Sequence, residues 1–208
     1  MLEKCYRIEN NERLFDFKTC LQYLEYLGKK KYGTSFKIDY SDKETLLKLI
    51  GYSVGANDVC KENFIDPKKG ILLLGPVGCG KTTLMCLLNE FVFLHQKYLV
   101  KSTRNISTEF HQDGFQVIHK YGRQQKAICL DDLGVEQNMK YYGNECNTIG
   151  EILLHRYDMH VNFGILTHAT TNLNAEELEK LYGNRVRSRL RSMFNLITFP
   201  SSTKDKRK

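Results

Sequence analysis

The stretch Gly70-Ile71-Leu72-Leu73-Leu74-Gly75-Pro76-Val77-Gly78-Cys79-Gly80-Lys81-Thr82-Thr83 sets an apolar run of strand length directly before a glycine-rich turn. A helical run, Leu84-Met85-Cys86-Leu87-Leu88, follows at once. The turn has the form G-x-x-x-x-G-K-T, and strand, turn and helix together are the setting in which that form binds phosphate. Glycines supply backbone angles that other residues avoid and let amide N–H groups close around phosphate oxygens. The helix N-terminus adds its partial positive charge. On this reading Gly75, Pro76, Val77, Gly78, Cys79, Gly80, Lys81, Thr82 and Thr83 cradle a nucleoside triphosphate. Lys81 reaches the β- and γ-phosphates from a loop expected to be solvated when empty, and the Thr82 hydroxyl coordinates Mg²⁺.

A second stretch completes the chemistry. Ala127-Ile128-Cys129-Leu130-Asp131-Asp132-Leu133-Gly134 reads as a buried parallel strand with two carboxylates at its C-terminal end, where α/β sheets place their ligands. Asp131 fits the holder of the Mg²⁺ water shell, and Asp132 the group that orients the attacking water. The next apolar run, Gly164 to Asn172, ends in hydroxyls and an amide. Asn172, with Thr171 second, is the candidate to hydrogen-bond the γ-phosphate or the water. His168 is expected to pack inside that strand.

The remaining chain is read around these anchors. A helix from about residue 12 to 28, ending at Gly28, packs on the main body or binds a partner, with packing favoured. Phe36 to Tyr40 reads as extended, and Ser41 to Glu44 as a capping box opening a helix that stops near Gly51 or Gly55. After the phosphate loop a helix runs to about Leu94, a strand covers Tyr98 to Lys101, and residues 104–122 are helical despite Gly114. Val186, Leu190 and Met193 recur at helical spacing. Arg185 and Arg189 share one face of that helix, and Arg187 and Arg191 a roughly opposite one. One pair could reach a neighbouring subunit's nucleotide, the other solvent or nucleic acid. Residues 195–200 close the fold as a strand.

Composition narrows the class. At 208 residues the chain suits one α/β domain with a modest extension. No apolar run approaches the ~20 residues that span a membrane, and Met1 to Tyr6 offers no secretory signal. The seven cysteines are scattered and never spaced C-x-x-C, as expected of reduced residues in a cytoplasmic protein without a metal cluster. A net charge of +7 permits nucleic-acid binding without requiring it. Arg187, Arg191 and Lys204 to Lys208 are the candidates for contacts to single-stranded DNA.

The order of these motifs resembles the AAA+ ATPases of the DnaC/IstB type, bacterial helicase loaders and transposition helper proteins. The resemblance covers roughly residues 36–200. It rests on Gly75 to Thr82 (Walker A), Asp131-Asp132-Leu133-Gly134 (Walker B), Glu151-Ile152-Leu153-Leu154-His155-Arg156-Tyr157, Thr170-Thr171-Asn172-Leu173 (sensor 1) and Arg185 to Leu190 (the arginine-finger box). It implies a P-loop NTPase sandwich of three layers around a five-stranded parallel sheet, with ATP and Mg²⁺ as ligands. Arg189 would be the arginine finger acting in trans within a homo-oligomer, Arg185 its support, and Asn172 the sensor. It divides the chain into a short N-terminal extension (1–37), an ATPase domain (38–200) and a basic tail (201–208). A helicase or transposase partner in DNA replication or transposition follows from the same resemblance. Two departures from the resemblance are expected: the helical lid with its second sensor is not expected after the last strand, and the preface is short beside the loaders' helicase-binding domain. The alternatives to a hydrolysing ATPase are a small-molecule P-loop kinase and a nucleotide-regulated binding module with little turnover.

Overall fold

The computed structural model describes residues 2–9, 12–136, 139–141 and 144–207. The chain opens with strands β1 (Tyr6–Glu9) and β2 (Glu12–Phe15), then helices α1 (Phe17–Tyr32), α2 (Lys43–Val54) and α3 (Asn57–Glu62). Strand β3 (Gly70–Leu74) leads through the glycine-rich loop into α4 (Lys81–Leu88), and β4 (Tyr98–Ser102) into α5 (Thr103–Asp113) and α6 (Gln116–Gly122). Then come β5 (Ala127–Leu133), the short antiparallel pair β6 (Met139–Tyr141) and β7 (Asn144–Cys146), and α7 (Thr148–Phe163). Strand β8 (Thr167–Thr171), α8 (Ala175–Tyr182), α9 (Asn184–Met193) and β9 (Phe194–Thr198) complete the order.

Five strands form one parallel sheet in the order β4-β5-β8-β3-β9. Side chains alternate across a strand, so each strand feeds two cores. Ile71 and Leu73 join Leu24, Leu49, Leu84 and Leu87 on one face. Leu72, Ile128 and Leu130 join Ile106, Phe110, Ile152 and Leu190 on the other. Helices α1, α2 and α4 therefore cover one face and α5 to α9 the other. This is the expected three-layer α/β fold around a five-stranded parallel sheet. Among the described residues no helix is long and apolar enough to cross a membrane.

Several local expectations fail, each for an identifiable reason. The preface is a β1–β2 hairpin before a helix, with Tyr6 paired to Phe15 and their rings 5.2 Å apart. Helix α1 starts only at Phe17, where the Asp16 carboxylate accepts from the Thr19 N–H at 2.7 Å. Gly28 does not stop it. A Cβ there would collide with the Phe36 ring, so Gly28 permits packing inside a helix that runs on to Gly33. Residues 36–39 form no strand, and the capping box at Ser41 is absent. Ser41 instead donates through both N–H and hydroxyl to Asp39, inside a 3₁₀ turn at Tyr40–Asp42. Helix α2 ends at Gly55, in the left-handed region, not at Gly51.

Helix α4 is shorter than its apolar pattern suggested. The Asn89 amide exchanges hydrogen bonds with the Tyr98 backbone (2.8 and 3.1 Å) and draws the chain back toward the sheet. Gly114, at φ +62°, splits the 104–122 segment into α5 and α6. Helix α8 was not anticipated, although Asn174 and Glu177 form a complete capping box at its start.

Candidate functional site

Strand β8 lies between β3 and β5, so its C-terminal end stands between the glycine-rich loop and the two aspartates. Gly78 (φ +80°) and Gly80 (φ +98°) take the left-handed angles that turn the loop. Gly80 is the residue before α4 and offers no side-chain cap, so the first N–H groups of the helix face the loop uncapped. Lys81 departs from expectation. It is buried, and its Nζ donates to the carbonyls of Gly75 (2.8 Å) and Pro76 (3.0 Å). The lysine is folded onto its own loop, and would reach any ligand there only by giving up those carbonyls.

Thr82 and Asp131 meet directly. The Thr82 hydroxyl donates to the Asp131 carboxylate at 2.9 Å, and Thr170 donates to the same carboxylate at 2.7 Å. Burial pushes the Asp131 pKa up, against the pull of the hydrogen bonds from Thr170 and Thr82. A buried carboxylate supported by two hydroxyls and, among the described residues, in no ion pair suits a hard divalent cation. Thr82 and Asp131 thus fit the Mg²⁺ assigned to them.

Asp132 sits in the left-handed region (φ +59°), at a register shift between Leu130 and Leu133. Its N–H donates to the Thr170 hydroxyl (2.8 Å), and its carbonyl accepts from the Thr103 hydroxyl (2.8 Å). These two threonines hold a backbone conformation that costs on the order of 1–3 kcal/mol. The bulge turns two consecutive acids to different tasks: Asp131 toward Thr82, and Asp132 into a cavity of about 300 Å³. That cavity is also lined by Lys81, Thr82, Thr83, Asn172 and Arg207. A larger cavity, about 570 Å³, lies on the other side of the loop between Gly78, Gly80, Thr83, Tyr32, Phe36 and Ile38.

The other sequence candidates are distributed as follows. Asn172 is exposed at the cavity, whereas the Thr171 hydroxyl turns away to the Leu133 carbonyl at 2.8 Å. His168 is packed within β8; its Nδ1 accepts from the Ile71 N–H at 3.1 Å, and burial pulls its pKa down to about 3. Arg185 and Arg191 are exposed, Arg187 is ion-paired with Glu179, and the Arg189 guanidinium lies 4.9 Å from the Tyr157 ring centre. No α9 arginine lines either cavity. Among the described residues no two cysteines form a disulfide, and no cluster of three or more metal-ligating side chains occurs. Sequence reasoning did not bring Thr170 and Thr103 to the two aspartates, and read Arg207 only within the basic stretch Lys204 to Lys208. Thr170 stood in a quoted motif, but its hydroxyl's service to both aspartates depends on strand order.

The fold recurs in solved structures. The fold is that of the DnaC helicase loader. The two chains are 19% identical with a TM-score of 0.52, over 80% of this chain and 94% of that one. DnaI shares the loader fold at 19% identity and TM-score 0.55, over 81% and 90% of the two chains. A proposed primosome component from Streptococcus pyogenes serotype M3 shares it at 16% and 0.57, over 80% and 85%. No protein-family model matches the sequence, and no curated protein matches it. At these identities the likeness establishes the loader fold and leaves activity to be argued from the site.

Proposed function

We propose that this protein is a cytoplasmic ATPase of the helicase-loader type, which binds MgATP and hydrolyses it within a homo-oligomer. Its nucleotide state would govern the loading of a helicase or transposase on single-stranded DNA. Residues 38–200 would carry the activity, with 1–37 and 201–208 packed against it. The observation that carries this reading is one cavity lined by Lys81, Thr82, Asp132 and Asn172, with Asp131 bonded to Thr82 behind it and the α9 arginines outside. Lys81 moves from the Gly75 and Pro76 carbonyls to the β- and γ-phosphates. Thr82 and Asp131 would hold Mg²⁺, which would supply charge neutralisation to the phosphates. Asp132 accepts a hydrogen bond from the attacking water and takes its proton, while Asn172 hydrogen-bonds the γ-phosphate or that water. Arg189, supported by Arg185, completes a neighbour's site from outside.

Calorimetry of MgATP binding to Lys81→Ala tests the foundation. Loss of the lysine charge is expected to weaken binding by about tenfold or more, or ~1.4 kcal/mol. Circular dichroism should remain native, since the hydrogen bonds that Lys81 donates all stay within its own loop. Unchanged affinity would remove the assignment of the loop.

A further inference from the structure

The segment after β9 crosses the phosphate loop. The Phe199 N–H donates to the Leu74 carbonyl at 2.8 Å, extending the sheet edge, and a turn closes from Thr203 N–H to the Pro200 carbonyl at 3.0 Å. The Lys206 N–H then donates to the carbonyl of Gly78, inside the loop, at 3.0 Å. The Lys206 ammonium pairs with buried Asp42 and lies 5.3 Å from the Phe199 ring centre. Lys206 thus pins the segment at two points. On either side of it stand an anion and a cation at the site itself. The Asp205 carboxylate occupies the space a Cβ on Gly78 would need. Arg207 lines the cavity with Lys81, Thr82, Thr83, Asp132 and Asn172.

Arg207 and Asp205 are bound to each other. Arg207 Nε donates to one carboxylate oxygen at 3.1 Å and Nη2 to the other at 2.7 Å. This two-pronged geometry is the one a guanidinium also makes with a phosphate. Both side chains are about half exposed or more (65% for Arg207 and 49% for Asp205), so their pairing is easily exchanged. A triphosphate carries several charges against the single charge of Asp205, and it would meet loop N–H groups and Arg207 together.

We propose that Arg207 is a phosphate-binding residue of this protein's own nucleotide site, paired with Asp205 until a nucleoside triphosphate takes the carboxylate's place. The inference rests on the reading of the loop as a nucleotide site. It makes the basic residues after β9 part of that site, in addition to any contact with DNA. It also gives the two partners opposite effects. Arg207 adds a charge-assisted contact to the bound phosphates, and Asp205 competes with them for it.

The test is calorimetric titration of MgATP into the wild-type chain, Arg207→Ala and Asp205→Asn, with Lys81→Ala as the reference for a broken loop. Arg207→Ala is expected to raise Kd by about tenfold, the scale of one charge-assisted hydrogen bond. Asp205→Asn is expected to lower it several-fold, because the competitor has gone and Arg207 is released. Both positions are surface positions, so native circular dichroism is expected throughout. Wild-type affinity in both variants would overturn the proposal while leaving the loop assignment intact. An Asp205→Asn chain that binds more weakly than wild type would also overturn it, since the carboxylate would then be supporting the site. A wild-type chain that binds no MgATP would instead overturn the nucleotide reading itself.

Discussion

Helix α9 carries four arginines and the segment after β9 carries one, and the two regions hold them by different means. Helix α9 is anchored by buried Val186, Leu190 and Met193, so its arginines point wherever a rigid helix directs them. Arg189 is set over Tyr157, with its Nε buried and, among the described residues, without a hydrogen-bond partner, and it lines neither cavity beside the loop. Residues 199–207 have no regular structure and are held by Lys206 to Gly78 of the glycine-rich loop and to Asp42. Arg207 therefore lies at its own subunit's site. A cation anchored on a helix outside the cavity is not placed to meet a ligand bound there in its own subunit, whereas Arg207 already lines that cavity.

The largest expected effect breaks the comparison from the helical side. An arginine supplied in trans is worth on the order of 10³–10⁵ in rate in phosphoryl transfer. Arg189→Ala should bind MgATP normally and lose turnover on that scale. Mixing it with Lys81→Ala, whose own site is empty but whose Arg189 is intact, should restore part of the activity, and the rescue should grow with protein concentration. A mixture that co-assembles yet stays inactive would return Arg189 to a structural role on Tyr157.

A smaller effect separates both arginines from the chemistry they assist. Asp132→Asn preserves size but removes the carboxylate, so MgATP binding should persist while turnover falls by about 10²-fold or more. This variant should be equally silent whichever arginine is present. Full turnover would show that another group activates water and that the bulge at Asp132 is architectural.

The smallest effect concerns the arginine of α9 that is already engaged. Arg187 and Glu179 are each roughly two-thirds buried (27% and 33% exposed), so the pair contributes no more than about 1 kcal/mol. Glu179→Gln should lower stability in urea by that amount or less. It should also free Arg187, so that fluorescence anisotropy with single-stranded DNA shows tighter binding at low salt and little change at high salt. No gain at low salt would place the DNA contacts elsewhere.

Much of the site was legible because its parts are local. Gly78 and Gly80 must be glycine to take positive φ, Lys81 and Thr82 follow at fixed spacing, and Asp131 and Asp132 close an apolar run. The alternation of Ile71, Leu72 and Leu73 between two cores is written into a strand buried on both sides. What failed was local reading overruled by distant partners. Gly28 has the composition of a helix stop, but the Phe36 ring needs its missing Cβ. Ser41 has the spacing of a cap, but Asp39 takes its hydroxyl.

The sequence by itself determined a glycine-rich strand–loop–helix, a pair of carboxylates at a strand end and a three-layer parallel α/β fold, because turn angles, side-chain chemistry and strand alternation are set within a few residues. Only the tertiary structure decided which groups surround those parts. Strand order set Thr170 between both aspartates, burial folded Lys81 onto the loop carbonyls, and the Lys206–Asp42 pair carried Arg207 to the cavity. Lys206 and Asp42 are 164 residues apart in sequence. Contacts across such separations form only when the whole chain has packed, and no local pattern encodes them.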